Sequence, residues 1–423
     1  MKKYIVPLLT KKITHKVSVP GSKSITNRAL MLAAFSNGTT KLLNVLKSDD
    51  TKYMLEALQE LGLQVQETET SFIIEGKGGK FATGDKNIFL GNAGTATRFL
   101  TAAMILRQDK TTIDGVERMR SRPIQDLVDG LRQMGATVET ETGCPPVMVQ
   151  GNKNLLSKVV MKGDKSSQYF SALMQVAPLL PQGLEIQVEG DLVSKPYINI
   201  TCDVMNEFGV QVENNNYQNF HIKHQEYQAQ DYSVEGDASA TSYWFALAAV
   251  TGSKITVDNV PYTSAQGDIH LVDVLEKMGC IVKKEGKSIT VTGPEQLKAL
   301  GEINMNAMPD VAMTLAIIAA VADGETHIVD VANMRIKETD RIFALVTEMK
   351  KMGIDCEELP EGLIVRGTKN RHGADIETYD DHRMAMCFAV LGTVTKGVNI
   401  LDPLCCSKTY PKFFEEWGRI YLK

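Results

Sequence analysis

Pro20-Gly21-Ser22-Lys23-Ser24-Ile25-Thr26-Asn27-Arg28 joins an extended lead-in to a helix. Pro20 and Gly21 close the lead-in, Ser22 and Ser24 are both able to cap, and Ala29, Leu30, Leu32, Ala33 and Ala34 continue with helical spacing. A lysine and an arginine therefore stand within about a turn of a helix start, where free N–H groups and the helix dipole favour an anion. Taken alone, the stretch also reads as a capped surface helix with two solvated basic residues. Repetition argues for the anion site, because a polar entrance to a small-residue helix occurs six times.

The six helices read TNRALMLAAFSNG, TATRFLTAAMILRQ, SQYFSALMQVAPLLPQG, ATSYWFALAAVTG, DVAMTLAIIAAVADG and HRMAMCFAVLGTVTKG. The closing glycines Gly183, Gly252, Gly324 and Gly397 are 69, 72 and 73 residues apart, and Gly38 precedes Gly183 by 145, two periods. A second series interleaves with it: ALQELGLQV, GLRQMGATV, VMNEFGVQV, VLEKMGCIV and EMKKMGIDC, with Gly62, Gly135, Gly209, Gly279 and Gly353 separated by 73, 74, 70 and 74 residues. Each of these glycines ends an amphipathic helix and precedes a strand-like run. Glu285-Gly286 and Glu361-Gly362 supply turns between paired strands. Helices apolar on nearly all sides must be buried between sheet and outer helices.

The repeat predicts an α/β chain of six βαβαββ units, three per domain, as residues 21–235 and residues 1–20 plus 236–423. The last unit runs out of sequence. Lys412 to Trp417 reads as a helix and Gly418 as the start of a strand, and the missing strands are expected from residues 1–20. The six entrances are Gly21 to Arg28, Gly91 to Arg98, Gly163 to Gln168, Gly236 to Ser242, Met308 to Asp310 and Tyr379 to Arg383. Facing one interdomain cleft, they would make it positive in an otherwise acidic protein.

The chain has 423 residues, a net charge of -5 and seven cysteines. That balance speaks against nucleic acid and for small anionic ligands held by local clusters of Lys and Arg. The cysteines are scattered, with no C-x-x-C and no histidine at ligand spacing, so a reduced, metal-free, cytoplasmic protein is expected. The N-terminal apolar run is short and broken by Pro7, and no segment is apolar enough for a membrane span.

GSKSITNRAL, LGNAGTATR, RMRSRPI, KSSQYF, VSKPYI, NMRIKETDR, YDDHRMAM and SKTYPKFF, in this order from residue 20 to about 414, resemble the 5-enolpyruvylshikimate-3-phosphate synthase family. The resemblance implies the two-domain inverted α/β barrel of the enolpyruvyl transferases, in agreement with the repeat count. It also implies transfer of the enolpyruvyl group of phosphoenolpyruvate to the 5-hydroxyl of shikimate 3-phosphate, in aromatic amino-acid biosynthesis. No cofactor and no metal are implied, and a monomer is expected.

By the same resemblance, Lys23, Arg122, Arg341, Arg383 and Lys408 hold phosphoenolpyruvate, with Gly94, Thr95 and Gln168 beside it. Shikimate 3-phosphate falls to Lys23, Ser24, Arg28, Ser166, Ser167, Gln168, Ser194, Tyr197, Asp310, Asn333 and Lys337. Two anions side by side need several cations, and the planar fork of Arg suits carboxylate and phosphate. The addition needs a base on the hydroxyl and an acid at the methylene. Asp310 is the expected base, Glu338 and Lys23 the expected proton carriers, and His382 a support. From the residues alone, Asp310 is also a helix cap, and Glu338 with Arg341 an i,i+3 pair on an exposed helix face.

Phe99 departs from the family, whose best-known members carry Pro there, beside the phosphoenolpyruvate loop. Gly94 and Thr95 keep the pattern of members sensitive to glyphosate, and sensitivity is expected. The nearest alternative is the enolpyruvyl transferase acting on UDP-N-acetylglucosamine, which places a reactive Cys in the loop that here reads Gly115 to Pro123 without one. A non-catalytic sugar-phosphate binder on the same fold is the other, and the retained Lys23, Asp310, Glu338 and Lys408 argue against it. Gly21 to Ser24 lacks the glycine spacing of a P-loop. His221 and His224 fall on opposite faces of an alternating segment and do not form a metal pair.

Overall fold

The computed structural model describes residues 3–422. Among them are five four-stranded sheets and one of three strands. Each four-stranded sheet is built alike. Lys86–Phe89 pairs in parallel with Thr111–Asp114, which pairs antiparallel with Val147–Gln150, which pairs antiparallel with Thr137–Glu139. The parallel pair requires a crossover, and the helix Gly94–Ala103 supplies it; the amphipathic helix Gln125–Gln133 leads into the closing hairpin.

The six small-residue helices are Lys23–Phe35, Gly94–Ala103, Ser167–Val176, Ala238–Thr251, Ala312–Ala319 and His382–Gly392, and all but Lys23–Phe35 and Ala238–Thr251 connect the parallel pair of one sheet. Every residue of Gly94–Ala103, Ala312–Ala319 and His382–Gly392 is buried, which explains their alanines and the absence of a polar stripe. The glycines that end the two helix series all take positive φ, including Gly62 (87°), Gly209 (84°) and Gly353 (74°), the left-handed conformation a helix C-terminus uses to turn into a strand.

The chain forms two compact units, one of Gly21–Glu235 and one of the residues up to Pro20 together with those from Gly236. Each unit closes on a strand far away in the chain from its partner. Asp231–Ser233 is the parallel partner of Asn37–Leu43, so the end of the first unit closes its own beginning. In the second unit Thr14–Val17 is the parallel partner of Lys254–Val257, and Tyr4–Ile5 pairs antiparallel with Asn399–Ile400. The N-terminal segment thus completes the last unit, and it also opens the fourth, which the sequence did not disclose. The strand expected from Gly418 does not form. The helix Phe413–Gly418 runs into a 3-10 turn at Arg419–Leu422, because the edge of Asn399–Ile400 is already occupied by Tyr4–Ile5. Helix and turn pack inward instead, with Trp417 stacked on Phe413 and 5.1 Å from Trp244.

Candidate active site

In the unit Gly21–Glu235, three helix N-termini carry the expected residues. Ser22 caps the first helix by accepting from the Ile25 N–H, which places Lys23 and Ser24 in its first turn. Lys23 lies 3.6 Å from buried Asp50, so its ammonium is held before any ligand is considered. Arg28 is buried and its fork is engaged by protein: Nε donates to Thr201, Nη1 to the Ser24 carbonyl, and Nη2 to Ser171 and the Tyr197 carbonyl. Its face lies 5.2 Å from the Phe99 ring centroid, and burial pulls its pKa down to about 10.

Gly94 opens the next helix directly under Arg122. A Cβ there would lie 2.5 Å from Arg122 Nη2 and 2.7 Å from Arg98 Nη1, so an alanine would push these guanidinium ends aside. Arg122 donates to the Asn92 side chain at 3.1 Å, and Gln168 Nε2 approaches the Thr95 hydroxyl at 3.4 Å. Ser166 caps the third helix, with Ser167 and Gln168 in its first turn. Ser194 is left-handed at φ 55° ahead of Lys195–Glu207, a strained conformation held by a Tyr197 N–H donating to its carbonyl.

In the other unit the helix starts converge on one ion network. Arg341 donates from Nε to Asp381 at 2.7 Å, from Nη1 to Asp310 at 3.0 Å and from Nη2 to Glu338 at 2.8 Å. Arg383 bonds the other Asp310 oxygen at 2.9 Å and the Tyr243 hydroxyl at 3.2 Å. Lys337 stands 3.5 Å from Asp310, and Lys408 3.7 Å from Glu338. Burial alone would lower the Arg341 pKa, but Asp381, Glu338 and Asp310 outweigh it and raise it. Asn333 sits in the 3-10 turn Ala332–Ile336 just before Lys337, and His382 is fully buried beside Asp381.

Two local readings need correction. Asp310 does not cap Ala312–Ala319, whose N-cap is Val311 with no side-chain bond; its carboxylate turns instead to Arg341 and Arg383. Glu338 and Arg341 are not an exposed helical pair. Asp340 caps the helix at Arg341, leaving Glu338 outside it, and both members are buried. The sequence reading missed the acids that hold the cations, Asp50 under Lys23 and Asp381 under Arg341. Each is the second residue of an aspartate doublet at a helix entrance, Asp49-Asp50 and Asp380-Asp381, and that was the available signal.

The EPSP synthase (3-phosphoshikimate 1-carboxyvinyltransferase) family model matches residues 9–417. The chain belongs to the EPSP synthase family. The chloroplastic 3-phosphoshikimate 1-carboxyvinyltransferase of Arabidopsis thaliana is 46% identical over 97% of this chain and 83% of that protein. The 3-phosphoshikimate 1-carboxyvinyltransferase of Erwinia tasmaniensis is 45% identical over 96% of this chain and 95% of that protein. A solved EPSP synthase from Acinetobacter baumannii superposes with a TM-score of 0.82 over 99% of this chain and 98% of that one, at 24% identity, which places the fold among the EPSP synthases. Six small sheets and six small-residue helices are therefore the family architecture, as the repeat predicted.

Proposed function

We propose that this EPSP synthase family member transfers the carboxyvinyl group of phosphoenolpyruvate to the 5-hydroxyl of shikimate 3-phosphate, releasing phosphate. The observation that carries the reading is Asp310, a carboxylate bracketed by Arg341, Arg383 and Lys337 and one arginine away from Glu338. Base and acid candidates each bond one terminal nitrogen of the Arg341 guanidinium, within a cluster that also holds Arg383, Lys337 and Lys408.

In this reading the shikimate 5-hydroxyl gives its proton to Asp310 as its oxygen bonds to C2 of phosphoenolpyruvate, and C3 takes a proton to become a methyl group. Loss of phosphate from the tetrahedral intermediate and of a proton from that methyl restores the double bond. Glu338 and Lys23 carry the protons at C3 and at the departing phosphate, with His382 supporting. Arg341, Arg383, Arg122 and Lys408 grip phosphoenolpyruvate, alongside Gly94, Thr95 and Gln168. Ser24, Arg28, Ser166, Ser167, Ser194, Tyr197, Asn333 and Lys337 read shikimate 3-phosphate. Arg28 in this role works through the one Nη1 hydrogen its protein partners leave, and otherwise shapes the pocket wall.

Residues of both units serve one substrate pair in this account. The reaction needs no cofactor or metal, and a monomer in the cytoplasm is the proposed form. No described helix is long and apolar enough to cross a membrane. Addition and elimination have a direct test, because the transient methyl group exchanges hydrogen. In deuterium oxide the product methylene should acquire deuterium, and a product free of deuterium would rule out the tetrahedral route.

A further inference from the structure

Glu348 is a fully buried carboxylate with no part in the chemistry above. It lies near the end of the helix Arg341–Lys351, seven residues beyond Arg341 and so on the same face two turns away. Its Oε1 accepts from the Tyr379 hydroxyl at 2.8 Å and its Oε2 from the Glu377 N–H at 3.2 Å, while Lys351 bonds both oxygens from the surface.

The segment it grips is strained. The Asp381 N–H donates to the Thr378 carbonyl at 2.9 Å, closing a tight turn whose central residues, Tyr379 and Asp380, have φ of 54° and 53°. Both positions favour glycine or asparagine, and a tyrosine there is strained. Directly after the turn, Asp381 receives the Arg341 guanidinium and caps the helix that presents His382 and Arg383. One helix therefore holds both ends of a left-handed turn, by Glu348 before it and by Arg341 after it.

We propose that Glu348 is a positioning residue: through the Tyr379 hydroxyl and the Glu377 amide it holds the Thr378–Asp381 turn, and so fixes Asp381, Arg341 and Arg383 for phosphoenolpyruvate. The assignment rests on the proposed function for its substrate but not for its geometry.

The test compares Tyr379→Phe, Glu348→Gln and Lys351→Ala, with Tyr379→Phe the variant least able to impair folding. Tyr379→Phe and Glu348→Gln should each raise the KM for phosphoenolpyruvate roughly fivefold, more than the KM for shikimate 3-phosphate, and the double variant should add little to the larger single effect. Lys351→Ala leaves buried Glu348 without its cation and should lower Tm, but it keeps both hydrogen bonds to the turn and should leave the KM for phosphoenolpyruvate within about twofold of wild type. A lowered Tm with an unchanged KM would reduce Glu348 to a structural acid and overturn the proposal. Amide hydrogen exchange decides it independently of turnover. Residues 377–383 should exchange faster in Tyr379→Phe while the helix Arg341–Lys351 does not, and unchanged exchange in that segment would overturn the proposal even if the wild type proved inactive on these substrates.

Discussion

Arg341 shows most clearly what a single residue does here. It meets three carboxylates at once, a task for a planar fork and beyond an ammonium. Arg341→Lys should therefore lower kcat/KM by at least about a hundredfold and also lower Tm, since it leaves buried carboxylates without a partner. Asp310→Asn should cost a similar factor in kcat while shikimate 3-phosphate still binds, because the amide keeps the shape and loses the base; a variant with near-native kcat would remove Asp310 from its role. Phe99 does not break its helix. Its ring lies under the Arg28 guanidinium, so Phe99→Leu should raise the KM for shikimate 3-phosphate by about threefold, with a smaller effect on phosphoenolpyruvate. Glyphosate, with Gly94 clear beneath Arg122, should inhibit at concentrations near the KM for phosphoenolpyruvate.

Asp268 gives the residue scale a pH dependence. Burial raises its carboxyl from 3.8 to about 7, with Asp310 and Asp237 adding to the shift and Arg383 and the Ser239 hydroxyl opposing it. The folded protein keeps this proton where the unfolded chain has lost it, so the contribution to stability is whole below about pH 4 and declines as pH rises to about 7. Asp268→Asn should raise Tm by several degrees at pH 8 and by clearly less at pH 5. An equal effect at both pH values would contradict the assignment.

At the scale of elements, the glycine series and the small-residue helices were legible because each follows from a local requirement. A left-handed helix end needs glycine, and a helix buried on all sides needs alanine. The aspartate doublets marked the acids but not their partners, since nothing local tells Asp381 that Arg341, 40 residues earlier, will lie against it. A third glycine series also passed unread. Gly76, Gly151, Gly293 and Gly367 each lie where the closing strand crosses the end of a buried helix, and a Cβ on them would meet the carbonyls of Ala33 at 2.2 Å, Ile105 at 1.9 Å, Ala248 at 2.0 Å and Ala322 at 1.8 Å. The third unit solves the same crossing with His224, whose Nδ1 donates to the Pro178 and Leu180 carbonyls. Gly293→Ala should cost about 3 kcal/mol or more, or prevent folding, whereas Gly286→Ala, at φ 58° in open space, should cost about 1 kcal/mol by chemical denaturation.

At the scale of the whole molecule, a net charge of -5 coexists with dense groups of arginine and lysine in each unit. The explanation is placement. The helix entrances gather the cations, and buried acids such as Asp50, Asp381 and Glu338 hold them ready, so anions bind without the protein being basic overall.

The account stands or falls most directly on phosphate release from phosphoenolpyruvate by the purified protein without added metal, with shikimate 3-phosphate in one reaction and UDP-N-acetylglucosamine in another. Release with shikimate 3-phosphate alone is the predicted result. Release with UDP-N-acetylglucosamine, or with neither acceptor while shikimate 3-phosphate still binds, would contradict it.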